Sequence, residues 1–295
     1  MTIEHDRVRC DFANQSFNTP GTAGIDVAGE LRRLTARDRW LLDLLAEHQV
    51  FSTEQITALA FDTAHTARIR LGRLHRRGVL AKFRDCVRPG SQSWRWTLGV
   101  VGATYIASRD GQPTPRPSAV RDRINRLSTN PRLPHLLGVN QLFVDLAAHA
   151  RYAPGARLAV WWSERTCVRE VTGEQVRPDG HGVWVDHGRI LPFWLGWDAG
   201  SEPHHRVLSK LDGYVRLHRA TSLDHAVLIW LDSPGREASL HRSLATHPAI
   251  TSEDLVVATG NGAGTNPAGP VWLPAGRTRR VRLADLPRTT EEQAA

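Results

Sequence analysis

Helical patterning begins abruptly after residue 29. Thr35 followed by Asp38 has the spacing of a capping box, and Trp40, Leu41, Leu44 and Leu45 then share one face of a helix reaching about His48. Ser52 and Gln55 repeat the signature, with Ile56 and Leu59 on the buried side of a short second helix ending near Phe61. Beyond a turn at Asp62 and Thr63, the pattern predicts a third helix over 64–77. It turns Ala67, Leu71 and Leu74 inward and Arg68, Arg70, Arg73, Arg76 and Arg77 outward, and Gly78 stops it. The period then shortens to two. Residues 79–84 and 94–98 alternate as strands on either side of a Pro89-Gly90-Ser91 turn, and a short helix follows over 100–108. Three helices and a hairpin predict a winged helix-turn-helix over residues 31–109.

Residues 1–30, rich in Asn, Gly, Thr and Pro, read as a loose leader, and 110–130, opening Asp110-Gly-Gln-Pro-Thr-Pro-Arg-Pro-Ser, as a stiff linker. A long helix is predicted over 133–151, with Leu136, Leu137, Phe143, Leu146 and Ala147 available to a core. Strands follow at 157–162, 183–185 and 190–197, then helix 203–218, strand 225–231, helix 234–245 and short strands near 255–258 and 271–273. That order predicts a mixed sheet flanked by helices over 131–287, with 288–295 as a tail. The chain as a whole is thus of α+β / α/β class. The glycines of 260–269 lack a strand before and a helix after them, so they read as a surface loop and not as a phosphate cradle. Trp161, Trp162, Trp184, Trp194, Trp197, Trp230 and Trp272 sit in strand-like runs and are expected in the core.

With 295 residues and 41% apolar content the chain is long enough for two domains, each with its own core. No apolar run approaches the roughly 18 residues a membrane span needs. Glu4, Asp6 and Asp11 depart from the profile of a secretion signal, so a cytoplasmic protein with no membrane partner is expected. Cys10, Cys86 and Cys167 are odd in number and share no CxxC spacing, which argues against a disulfide framework or a zinc knuckle.

Charge adds a partner to this picture. The net charge is +8, carried by 36 arginines and only two lysines, Lys82 and Lys210. By segment it is −3 over 1–30, +7 over 31–110, +3 over 111–150 and +1 over the rest. A positive field concentrated on the helix-turn-helix segment suits a polyanion, and double-stranded DNA is the expected partner, bound in a salt-dependent way. In a winged helix the third helix enters the major groove, which makes Arg68, Arg70, Arg73, Arg76 and Arg77 candidate contacts to phosphates and base edges. Lys82, Arg84, Arg88 and Arg95, interleaved with Trp94 and Trp96, are candidates on the wing.

A second constellation lies in the other half. Pro178-Asp179 precedes the apolar run 191–195, which leads into Gly196-Trp197-Asp198, then Glu202 and Lys210. Strand-borne carboxylates beside a lysine suit magnesium-dependent phosphodiester cleavage. Asp179 and Asp198 would ligate Mg2+, while Glu202 and Lys210 complete the catalytic set. The spacing resembles the PD-(D/E)XK pattern of restriction-endonuclease-like domains, but Gly196 and Asp198 stand where that pattern has an acid and a lysine. His204 and His205 beside Glu202 are expected to be solvated at a helix start.

An ordered set of short stretches resembles the replication-relaxation family. They are Leu34-Thr-Ala-Arg-Asp-Arg, Ser52-Thr-Glu-Gln-Ile-Thr-Ala-Leu-Ala-Phe61, Arg73-Leu-His-Arg-Arg-Gly-Val-Leu80, His135-Leu-Leu-Gly-Val-Asn140, Arg177-Pro-Asp-Gly180, Asp198-Ala-Gly-Ser-Glu202 and Lys210-Leu-Asp-Gly-Tyr214, covering about 34–286. The resemblance implies a DNA-binding protein of plasmid replication and DNA relaxation; replication or conjugation proteins and a second copy of the chain in a homodimer are the candidate protein partners. Similar members tend to carry Glu at the position of Gly196. Two other functions fit the residues: a metal-dependent nuclease or nickase, and a transcriptional regulator whose second half serves only assembly.

Overall fold

Both capping boxes form in the computed structural model, which describes residues 27–84, 92–172, 176–198, 200, 203–251, 255–262 and 265–287. Thr35 Oγ1 accepts from the Asp38 amide (3.2 Å) and Asp38 Oδ2 accepts from the Thr35 amide (2.7 Å). Ser52 and Gln55 exchange the same pair of bonds at 3.2 and 2.8 Å. Two orphan amides are satisfied at each helix start, which fixes where the helices begin.

The chain divides into two units, Met1–Leu137 and Gly138–Ala295. In the first, α1 (Val27–Arg32) precedes α2 (Ala36–His48), β1 (Phe51–Ser52), α3 (Thr53–Ala60) and α4 (Ala64–Arg76). Strands β2 (Leu80–Phe83) and β3 (Arg95–Leu98) form an antiparallel hairpin with Lys82 opposite Trp96. β1 adds a third strand to it, pairing Phe51 with Trp96. The Pro89-Gly90-Ser91 turn and Arg88 lie outside the described residues. Leu41, Leu42, Leu45, Ile56, Leu71 and Leu74 are fully buried, whereas Trp40, expected on the same face as Leu41, is 42% exposed and Leu42 fills the core in its place.

Three further features of this unit differ from the expectation. The leader, taken to extend to residue 30, gives way to helix α1 at Val27. The apolar pair at Phe51 forms a strand, because β3 offers a free edge beside it. The expected linker 110–130 contains α6 (Pro117–Ser128), which follows α5 (Val100–Arg109). Val120, Ile124 and Leu127 of α6 are buried with Val50, Ala81, Phe83, Val100 and Leu133. Pro117 at the first helical position starts that helix, and the spacing of its three apolar residues buries one face.

α7 (Leu133–Ala150) leads into the second unit. There β4 (Ala156–Ser163) is followed by α8 (Glu164–Cys167), β5 (Gly180–Asp186), β6 (Arg189–Asp198), α9 (His204–Thr221), β7 (Ala226–Leu231), α10 (Pro234–Leu244), α11 (Pro248–Thr251), β8 (Val257–Asn261) and β9 (Leu273–Pro274). The six strands form one mixed sheet in the order β4-β5-β6-β7-β8-β9. The pairs β6–β7 and β7–β8 are parallel, and the others antiparallel. Every residue of β7 is buried, as both faces of a parallel segment must be covered. One face packs Phe193, Leu195 and Trp230 against Val139, Leu142, Phe143 and Leu146 of α7. The other packs Trp194, Val227 and Ile229 against Val207, Leu211, Tyr214 and Leu217 of α9 and Leu240 of α10.

The expected strand at 183–185 is longer in both directions, and Gly180 and Gly182 explain why its start was hard to see. A Cβ at Gly182 would lie 2.4 Å from the Phe193 ring, and one at Gly180 would lie 2.8 Å from that of Phe143. Glycine here makes room for stacked aromatics and does not mark a turn. Trp184, Trp194, Trp230 and Trp272 are buried, in line with the core role expected of them.

Candidate nucleic-acid interface

α4 starts at Thr63, whose Oγ1 accepts from the Thr66 amide (3.2 Å), and turns its Ala67, Leu71, Leu74 side into the core. Five arginines were expected on its outer side, and they divide into two groups. Arg68, Arg73 and Arg76 are exposed. Arg70 and Arg77 lie at the edges of the buried face and are drawn inward. Arg70 Nε donates to Asp38 Oδ1 at 2.9 Å and its Nη2 to Asp38 Oδ2, while Arg77 pairs through Nε with the Glu30 carboxylate and through Nη2 with the Glu30 carbonyl (3.1 Å).

Asp38 is only 2% exposed. Burial pushes its carboxyl pKa up, but hydrogen bonds from Arg70 and from the Thr35 amide and hydroxyl outweigh that and hold it below the usual range. The same pairing raises Arg70. Arg70 thus ties α4 to the capping box of α2, and Arg77 ties it to α1.

On the hairpin, Lys82 Nζ lies 4.1 Å from the centre of the Trp94 ring and the Arg84 guanidinium 4.2 Å from it. Both cations are thus supported by one aromatic ring. Burial against those rings lowers the Lys82 pKa, and Arg84 adds to the shift. Trp96 is buried and donates Nε1–H to Thr53 Oγ1 (2.9 Å), so it belongs to the core. Arg95, on the opposite side of β3, donates to Gln92 Oε1 (2.6 Å).

In the second unit, Asp179, Asp198 and Lys210 line one cavity with Gly196, Tyr214 and Ile229. Asp179 reaches it from the residue before β5, Gly196 and Asp198 from β6, and Lys210 from α9. Glu202 lies outside the described residues. Asp179 Oδ2 accepts from the Trp197 amide (2.7 Å). Both oxygens of Asp198 are engaged: Oδ1 accepts from the Gly200 amide (2.9 Å), and Oδ2 from Arg236 Nε (2.8 Å) and Nη2 (2.6 Å). Asp198 is 4% exposed, so a guanidinium already neutralises the buried carboxylate that a cation would use. Gly196 supplies no donor atom. Among the described residues, no three His, Cys, Asp or Glu side chains gather to hold a metal ion. As paired among the described residues, Asp179 and Asp198 do not by themselves make up a magnesium centre. Nothing in the sequence pointed to Arg236, which lies 38 residues beyond its partner.

The model of the replication-relaxation family matches residues 42–227, from within α2 to the start of β7 and well over half the chain. The chain belongs to the replication-relaxation family. Among curated proteins none matches it. The family's designation ties this chain to replication or relaxation, and the matched span takes in α4, the hairpin, Asp179, Asp198 and Lys210. No helix among the described residues is long and apolar enough to cross a membrane.

This family member also holds one buried histidine, His181, against a half-buried one, His225, neither singled out by the sequence. His181 of β5 is enclosed by Trp162, Trp194 and His225, at ring separations of 4.8, 4.7 and 5.0 Å. Both of its ring nitrogens and Nδ1 of His225 are buried without hydrogen-bond partners. Burial, reinforced by the neighbouring His225, depresses His181 from 6.5 to about 3, and burial depresses His225 to about 4. On acidification the unfolded rings take up protons near pH 6.5 that the folded rings refuse, so stability is full above that pH and falls as pH drops towards 4. The expected loss is on the order of 1 kcal/mol per pH unit for each ring. Denaturant titrations at pH 7 and pH 5 should show this loss, and His181→Phe should remove about half of it. An unchanged pH dependence in that variant would contradict the assignment.

Proposed function

We propose that this replication-relaxation protein binds duplex DNA through a winged helix built from α2, α3, α4 and the β2–β3 hairpin, with α4 as the recognition helix. The observation that carries this reading is the group of Arg68, Arg73 and Arg76, all exposed on α4 outside its buried Ala67, Leu71, Leu74 side. Lys82 and Arg84, held over Trp94, supply the cations a wing would bring to the backbone. The second unit is a restriction-endonuclease-like scaffold. It assists plasmid or mobile-element replication or relaxation in the cytoplasm, with replication or conjugation proteins as partners and a homodimer as the working assembly. Mobility-shift titrations at several salt concentrations test the DNA reading. Affinity should fall steeply and linearly in log–log form as salt rises. Binding that is absent at low salt, or indifferent to salt, would end it.

A second reading, a metal-dependent nuclease, has one observation in its favour: Asp179, Asp198 and Lys210 share a cavity. The ion pair of Asp198 with Arg236 and the absence of a side chain at Gly196 weigh against it. Supercoiled plasmid with magnesium or manganese should therefore remain uncut. Nicking that disappears in Asp179→Ala would reverse the preference. A Cβ at Gly196 would meet only the Leu228 carbonyl, at 4.0 Å, so a side chain can start there without a clash, and Gly196→Glu shows whether one added carboxylate confers cleavage. A transcriptional regulator would instead repress a reporter from an element promoter with no replication phenotype.

A further inference from the structure

Along the outer side of α4, His65, Ile69, Gly72 and Arg76 follow one another at spacings of four, three and four residues. At about 100° per residue these spacings place all four on a single stripe directly opposite Ala67, Leu71 and Leu74. His65 and Arg76 are exposed, and Ile69 is 50% exposed, one of few large apolar side chains so open in the described structure. A Cβ added at Gly72 would meet only Arg76 Nη1, at 3.8 Å, so a shallow gap lies beside Ile69 on the same stripe. Arg73 and Thr66 flank the stripe on one side and Arg68 on the other, all three exposed.

An isolated exposed isoleucine is ordinary. Its position at the centre of a cationic stripe is not, because a polyanion drawn to Arg68, Arg73 and Arg76 brings its own surface against Ile69. The major groove of DNA offers one apolar feature at that depth, the 5-methyl group of thymine. We infer that Ile69 is a specificity-determining residue that packs on a thymine methyl group, with the gap at Gly72 allowing α4 to approach the base edges. The inference rests on α4 being the recognition helix and goes further by assigning one residue to one chemical group.

Replacing thymine by deoxyuridine deletes that methyl group and changes nothing else at the base edge. The full-length protein is used to select its preferred duplex from a random pool, and each thymine of that site is then exchanged in turn. At one position per half-site, deoxyuridine should weaken wild-type binding about fourfold, the worth of one buried methyl group. Ile69→Ala should bind the thymine duplex about as weakly as wild type binds the deoxyuridine duplex, with no further loss on exchange, while Ile69→Val should keep part of the discrimination. If no exchange affects wild type, or if Ile69→Ala keeps the full effect, the assignment is overturned. Salt-dependent binding of both proteins to random-sequence duplex is measured alongside. Its presence without a deoxyuridine effect overturns only the role of Ile69, whereas its absence overturns the DNA reading and this inference together.

Discussion

Exchanging Arg73 and Arg76 together for alanine is expected to weaken duplex binding on the order of fiftyfold at about 0.1 M salt, and to flatten the salt slope by about two. Both side chains are exposed, and neither forms an ion pair among the described residues, so the thermal transition should stay where it is. Arg70→Ala should do the opposite. Asp38 is almost completely buried, and removing its guanidinium leaves a carboxylate held only by Thr35. Arg70 is itself one-fifth exposed, which places the cost at about 2 kcal/mol, below the range for a fully buried pair. The folded fraction of Arg70→Ala should bind DNA nearly as wild type does. Parallel mobility-shift and denaturation measurements on the two variants separate contact from support. Should Arg70→Ala lose binding without losing stability, the division of the five arginines is mistaken.

Arg280→Ala is expected to destabilise the second unit by about 1–2 kcal/mol at neutral pH, below the range for a fully buried pair because the guanidinium is 39% exposed. Glu237 of α10 is 1% exposed and accepts from Arg280 Nη1 (2.9 Å) and Nη2 (2.6 Å), from Thr259 Oγ1 (3.0 Å) and from Asn261 Nδ2. Burial alone would push its carboxyl pKa up, but the bonds from Arg280, Thr259 and Asn261 together hold it below the usual range. In wild type the carboxylate therefore contributes stability above the unfolded pKa of 4.5, and this is lost as pH falls through the depressed folded value. Without Arg280 the largest opposing contribution to burial is gone, so the folded pKa rises and the carboxylate's stabilising contribution shrinks. The gap between Arg280→Ala and wild type should then narrow as pH falls through the carboxylate range. Denaturant titrations at pH 7 and pH 4 read both effects, and a gap that widens on acidification would contradict the account. The residue before Glu237 in α10, Arg236, makes the separate pair with Asp198.

The sequence by itself determined the local elements of this protein. Thr35 with Asp38 and Ser52 with Gln55 announce two helix starts because their bonds close within three residues. The rhythm of Ala67, Leu71 and Leu74 identifies the buried side of α4, and alternation around Trp94 and Trp96 identifies a return strand. The six-stranded mixed sheet likewise follows from the order of its helical and extended runs. Tertiary structure alone decided which charged groups stay available. Asp38 and Glu30 come from 32 and 47 residues away to claim Arg70 and Arg77, and Arg236 crosses 38 residues to claim Asp198. Spacing along a chain fixes the side of a helix or strand on which a charge emerges. Whether a buried or half-buried charge meets a counter-charge depends on folded proximity, because desolvation makes pairing obligatory for whichever groups the fold brings together.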